Sequence, residues 1–211
     1  MPLRCGILAI MRVRASVLAA ALLVPAVIIA SPHERSVGPR SAEAAVSVVV
    51  SLAELVQTST HVVVAKAAER QSLWEDTSSG RRIVTYTRLE VERSVIGDVG
   101  SGVWVRTLGG AVGSTGQWVS GEAVIAPESR SLLFLHKSGS TFSVAAMAQG
   151  HYPIVVTDGA IVRLSGSPDA GTLVMRRGPT IGAREVLVGA TLDKALQIIG
   201  EARRAQKEQR K

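Results

Sequence analysis

The sequence predicts a mainly β chain: a small antiparallel, OB-like barrel with a short N-terminal helix and a C-terminal amphipathic helix. Three observations carry this reading. Residues 85–91 alternate, with Thr85, Thr87, Leu89 and Val91 on one face and Tyr86, Arg88 and Glu90 on the other; that is the period-two signature of a half-buried strand. The turn-rich stretch 97–102 leads directly into Val103-Trp104-Val105-Arg106, near enough to pair back antiparallel. Further short apolar runs then follow between Gly-, Ser- and Asp-containing turns, and helical spacing occurs only near the two ends.

The elements follow in order. Arg4, Arg12 and Arg14 precede an uncharged, almost wholly apolar run over residues 15–30. As a helix, at ~1.5 Å per residue, it would span ~24 Å against ~30 Å of hydrocarbon, and Pro25 interrupts it. It reads as the apolar region of an export signal, with cleavage after Ala30 or after Ala44 in Ala42-Glu43-Ala44. Met11 offers a later start and a more compact signal, and an uncleaved anchor is the alternative. Ser51-Leu52-Ala53-Glu54 has the form of a capping box opening a helix over 52–57. His61-Val-Val-Val-Ala-Lys66 reads as a buried strand. Residues 72–82 read as a hairpin-type loop with its turn at Ser79-Gly80.

Beyond the central meander, residues 131–135 and 141–147 read as strands around the turn 137–140. Residues 154–156 and 161–164 flank Asp158-Gly159, an Asp-Gly hairpin signal. Residues 165–178 are punctuated by Gly, Ser and Pro and read as loop. Thr191 caps a last helix whose apolar residues Leu192, Ala195, Leu196, Ile199 and Ala202 keep helical spacing. Docking is expected over 192–202, with a solvated, frayed end over 206–211. The chain therefore divides into a signal and processing region (1–44), a β-barrel domain (45–164), a loop-rich segment (165–190) and a helix with a basic tail (191–211).

Charge excludes one function class. The net +7 of the chain concentrates at its ends: residues 1–44 hold five Arg against two Glu, and residues 201–211 hold five basic against two acidic residues. The body carries a net of only +1, which offers no electrostatic footprint for nucleic acid. The single cysteine, Cys5, lies in the signal segment, so a mature chain has no disulfide, thiolate metal site or thiol nucleophile. Aromatic residues are only 3% of the chain, so Val, Leu, Ile and Ala must fill the core.

Candidate sites are few. Gly109-Gly110-x-x-Gly113-x-x-Gly116 superficially resembles a phosphate cradle, but no Gly-Lys-Ser/Thr follows, and it reads as a wide loop. His61, His136 and His151 are far apart in sequence and unpaired, so no metal is assigned. Glu90 and Glu92 stand two apart on a strand, with Arg88 and Arg93 beside them, and read as a solvated charge ladder. No Gly-x-Ser-x-Gly elbow occurs. Trp74 and Trp118, with Gly109, Gly110, Gly113 and Gly116, remain as a candidate interaction surface, with no catalytic residue and no cofactor assigned.

The ordered run Arg81-Arg-Ile-Val-Thr-Tyr-Thr-Arg-Leu-Glu-Val91, Val95-Ile-Gly-Asp98, Val105-Arg-Thr-Leu-Gly-Gly-Ala-Val-Gly113, Ser131-Leu-Leu-Phe-Leu135 and Ala148-Gln-Gly-His-Tyr-Pro153 resembles a widespread family of uncharacterised bacterial exported proteins over residues 51–156. That resemblance implies export and a β-rich domain, and supplies no site residues. A looser likeness is to barrels of the netrin and metalloproteinase-inhibitor type. Those inhibitors act through an amino-terminal cysteine on the target's zinc, a mechanism that a cysteine-free mature chain does not carry. The expectation is an exported, non-enzymatic domain, periplasmic or extracellular, that binds another exported protein or an envelope component and meets the membrane only through an uncleaved signal anchor. The alternatives are a hydrolase whose site assembles only in three dimensions, and an inhibitor of an exported protease presenting the loop 109–121.

Overall fold

The structure is a computed structural model describing residues 46–209 apart from Ser79, Arg176, Arg177 and Pro179. The expected signal segment, both cleavage points and Cys5 lie outside the described residues, as do Arg210 and Lys211. The described residues form one compact unit.

A three-residue strand β1 (Val46–Val48) comes first. It is followed by helix α1 (Leu52–Thr58), whose capping box forms as the sequence expects: Glu54 N donates to Ser51 Oγ (3.3 Å) and Ser51 N to Glu54 Oε2 (2.9 Å). Strands β2 (His61–Thr77) and β3 (Gly80–Ile96) form a long antiparallel hairpin, and β4 (Gly102–Leu108) pairs with β3 from Glu90↔Gly102 to Val84↔Leu108. The expected loop over 72–82 is strand instead. Its residues find partners across the ribbon, Trp74 opposite Ile83 and Asp76 opposite Arg81, so the loop-like composition belongs to a paired strand. Thr77 pairs with Gly80, so Gly80 opens β3 and does not sit in the turn.

A small hairpin, β5 (Gly110–Val112) with β6 (Thr115–Gln117), follows β4. Next come β7 (Arg130–Ser138) and β8 (Thr141–Val144). The expected strand over 141–147 stops at Val144, because Ala146 and Met147 both take left-handed backbone (φ 52° and 56°) and lead into a 3-10 turn, Met147–Gly150. Strands β9 (His151–Thr157) and β10 (Ile161–Leu164) make the hairpin expected around Asp158-Gly159. The segment 165–190 is not all loop. It contains β11 (Thr172–Val174), paired parallel to β1, and the short helix α2 (Ala183–Leu187). Helix α3 (Leu192–Gln209) closes the chain with Ala195, Leu196 and Ile199 buried. It stays helical through Gln209, where fraying from residue 206 was expected; Gln206 is half-buried and accepts from Arg203 at 2.7 Å.

The main sheet has seven strands in the order β10-β9-β7-β2-β3-β4-β8, and β8 also pairs with β7, so five strands pair around a ring. One core cluster gathers residues from every ring strand: Val63 and Ala65 of β2, Leu89 of β3, Val105 of β4, Leu133 of β7 and Val144 of β8. A second cluster takes the intervening residues Val62, Val64, Leu132 and Phe134 and packs them under α1, α2 and α3. This explains why 62–65 and 132–135 are continuous apolar runs: these segments are buried on both faces.

Candidate functional site

The outer half of the β2–β3 hairpin extends past the ring and has two distinct faces. Register places Arg70 opposite Thr87, Ser72 opposite Thr85, Trp74 opposite Ile83 and Asp76 opposite Arg81 on one face. The other carries Glu69, Gln71, Glu75, Tyr86 and Arg88, continued by Trp104 and Arg106 of β4.

The β5–β6 hairpin is tied onto the first face. Gly109 N donates to the Ile83 carbonyl (2.8 Å), Thr85 Oγ1 donates to the Gly109 carbonyl (2.6 Å), and Ile83 N donates to Gln117 Oε1 (2.7 Å). The Ser72 and Thr85 hydroxyls share a hydrogen bond at 2.8 Å directly beneath Gly110. Any side chain at Gly110 would collide with both hydroxyls, and its φ of 131° excludes ordinary L residues. Gly109, at φ 90°, is similarly pressed against the Gln117 carbonyl. The glycine run is therefore a backbone approach to the ribbon. Gly113 serves the turn with φ 60°, and Gly116 lies within β6.

Between this hairpin and the ribbon is a recess of about 180 Å³ lined by Arg70, Thr107, Gly109, Gly110, Gln117 and Trp118, among others. Of the sequence-proposed surface, Gly109, Gly110 and Trp118 meet here. Trp74 sits on the same ribbon face with the Arg81 guanidinium 5.4 Å above its ring, while Gly113 and Gly116 lie outward on the hairpin. Trp118 is 62% exposed, and Trp74 and Trp104 are each 39% exposed. Behind the recess, Glu122 is buried. Burial pushes its carboxyl above the usual range, partly offset by the amides of Ala123 (3.3 Å) and Leu108.

On the other face, Glu75 organises a network. It accepts from Arg106 Nη2 (2.9 Å) and Nε (3.2 Å) and from the Tyr86 hydroxyl (3.1 Å). The Arg106 bond holds the Glu75 carboxyl below its ordinary value, while burial, reinforced by Glu75, raises the Tyr86 hydroxyl. Arg88 pairs with Glu69 at 2.6 Å. Glu90 and Glu92 part company: a bulge between the Val64 and Ala65 pairings takes Glu92 to Arg130 of β7 (2.6 Å), and Glu90 stands opposite Lys66.

The histidines do not converge. His61 bonds Thr60 and meets Phe142 edge-on, and His136 bonds the Thr58 carbonyl. His151 Nε2 shares a 3.0 Å hydrogen bond with the Ser131 hydroxyl, an arrangement that superficially suits nucleophilic chemistry. Both residues are almost completely buried, His151 Nδ1 has no partner among the described residues, and burial lowers the ring's pKa to about 4. The Ala148–Pro153 motif is thus structural. Gln149 bonds Val50 N and the Val48 carbonyl at 3.0 Å each, Gly150 has no room for a side chain beside the Ala145 carbonyl, and Tyr152 packs edge-on against Phe134. Among the described residues no group of three His, Cys, Asp or Glu side chains could hold a metal ion.

Sequence reasoning missed Arg70, Arg81 and Gln117 as members of this face. Extending the period-two count through 70, 72 and 74 would have placed the first of them. Comparison with known proteins returns no matching family model and no matching curated relative.

Proposed function

We propose that this chain is an exported, non-enzymatic binding module built on an OB-like barrel, and that the β2–β3 ribbon with the β5–β6 hairpin is its binding surface. The carrying observation is where the tryptophans are. The sequence has three, and all three are substantially exposed, while Val, Leu, Ile and Ala fill the core. Large rings left in water contribute little to folding, and tryptophan and arginine dominate the energetics of protein interfaces. Two of the three, Trp74 and Trp118, lie on the one face that the tied-down hairpin shapes into a recess.

The barrel reading rests on strand order. β2, β3 and β4 are consecutive antiparallel neighbours, β7 returns beside β2, and β8 bridges β7 and β4 with a parallel contact at Val105↔Phe142. A Greek-key ring of five such strands is the OB arrangement, in which a sheet face and flanking loops bind ligands. Export rests on the basic N-terminus and the apolar run over 15–30.

The test is affinity capture from envelope extract with the wild-type chain and with Trp74→Ala and Trp118→Ala. Partners retained by wild type and lost from both variants, at unchanged melting temperature, are the expected result. Equal capture by all three would refute the surface assignment.

A further inference from the structure

The two faces of the ribbon differ in how their arginines are paired. On the face carrying Trp104, Arg88 has Glu69 and Arg106 has Glu75, while Arg82 stands opposite Glu75 without an ion pair of its own among the described residues. On the recess face, Arg70 has no hydrogen-bond or ion-pair partner among the described residues, and Arg81 lies over Trp74 with no ion pair within 4 Å. Among the described residues this face carries one acid, Asp76, opposite Arg81 across the ribbon, and Glu122 is buried next in sequence to Ala123, which lines the recess. Neither forms an ion pair with Arg70.

An exposed arginine at the rim of a small recess, with an exposed indole beside it, lacks a counter-charge and a cover for its aromatic neighbour. We propose, resting on the binding-module reading above, that the recess face takes an acidic segment of a protein partner: a carboxylate pairs with Arg70, and the flanking apolar groups cover Trp118 and Trp74. The guanidinium suits this role, because it presents a planar fork of donors to a carboxylate. The recess volume of about 180 Å³ fits one side chain and not a whole folded element, so the ligand is an extended segment contributing one acid at a time. Arg81, opposite Asp76, lies on the same face with its guanidinium over the Trp74 ring.

The test probes the full chain with an array of heptapeptides of random composition, alongside alginate as an anionic polysaccharide. The expected result is a bound set enriched several-fold in Asp and Glu, weakened by raising salt from 50 to ~500 mM, as screening requires. Arg70→Gln should abolish the enrichment at unchanged melting temperature, and Arg70→Lys should restore part of it. Bound peptides with no acidic preference would overturn this proposal and leave the binding module standing. No peptide binding at all would overturn it too, as would retention on alginate alone, which would give the face to a glycan. If instead Trp74→Ala and Trp118→Ala left partner capture intact, the underlying surface assignment would fall first.

Discussion

Leu89 and Glu90 are neighbours in the chain and opposites in environment. Leu89 is fully buried in the cluster shared by the ring strands, and Glu90 is exposed opposite Lys66. Leu89→Ala should cost ~2–5 kcal/mol through lost burial and the cavity left behind, while Glu90→Ala should stay within ~0.5 kcal/mol. Denaturant midpoints at constant slope measure both, and equal small losses would contradict the register. His151 makes a second prediction. Its folded pKa of about 4 lies below the unfolded value of 6.5, so between these values the unfolded chain binds the extra proton. Stability is therefore full above pH 6.5 and falls as pH drops towards 4, by up to ~3 kcal/mol. Glu122, raised by burial, acts with the opposite sign, its contribution falling as pH rises above 4.5. The comparison that isolates the histidine is His151→Gln, whose stability should be flatter than wild type between pH 4 and 6.5. These two environments differ in legibility. The Leu89/Glu90 alternation is visible in the chain, whereas the burial of His151 depends on β7 lying beside β9, which nothing local encodes.

The elements with strong local signals are those the sequence locates. The Ser51–Glu54 box, the 85–91 alternation and the Asp158-Gly159 turn each specify their geometry within a few residues. Elements stabilised from a distance are missed. β11 is three residues long and forms against β1, and the outer half of β2 has loop-like composition yet is held by β3 across the ribbon. Arg70 and Arg81 were hidden for this second reason. Helix α3 is intermediate: its apolar stripe is legible, but its length is not, because Gln206 packs back beside Arg203. An isolated helix of this size is marginal, so docking of Ala195, Leu196 and Ile199 holds it. Removing residues 191–211 should lower the melting temperature by well over 5 °C, at ~2–4 °C per kcal/mol and ~1.5–3 kcal/mol for each large apolar side chain buried. Among the described residues, removing 206–211 loses the half-buried Gln206 contact and should shift it by no more than ~2–4 °C. Thermal denaturation of the two truncations separates these outcomes, and equal shifts would mean that the stripe does not anchor the helix.

At the scale of the whole molecule, the start of the described chain is fastened to a strand more than a hundred residues later. β1 pairs with β11 from Val46↔Thr172 to Val48↔Val174, and Val49 N donates to the Val174 carbonyl at 3.0 Å. Gln149, from the turn between β8 and β9, supplies its amide as a further rung, bonding both the Val48 carbonyl and Val50 N. Ala183 N then donates to the Val50 carbonyl, seating α2 on the same segment. The proposed signal cleavages, after Ala30 or after Ala44, both leave β1 whole, so export and folding do not compete for the same residues. A chain beginning at residue 49 removes β11's partner strand and leaves the Gln149 amide half-satisfied. With a net ~0.5–1.5 kcal/mol per hydrogen bond, that loss should amount to a few kcal/mol. Its local signature is sharper than its effect on melting, because β11 lies just before Arg176-Arg177, a tryptic site in the sequence. Trypsin should cut there faster in the chain starting at 49 than in the chain starting at 45. Equal cleavage rates would show that β1 is not what secures β11.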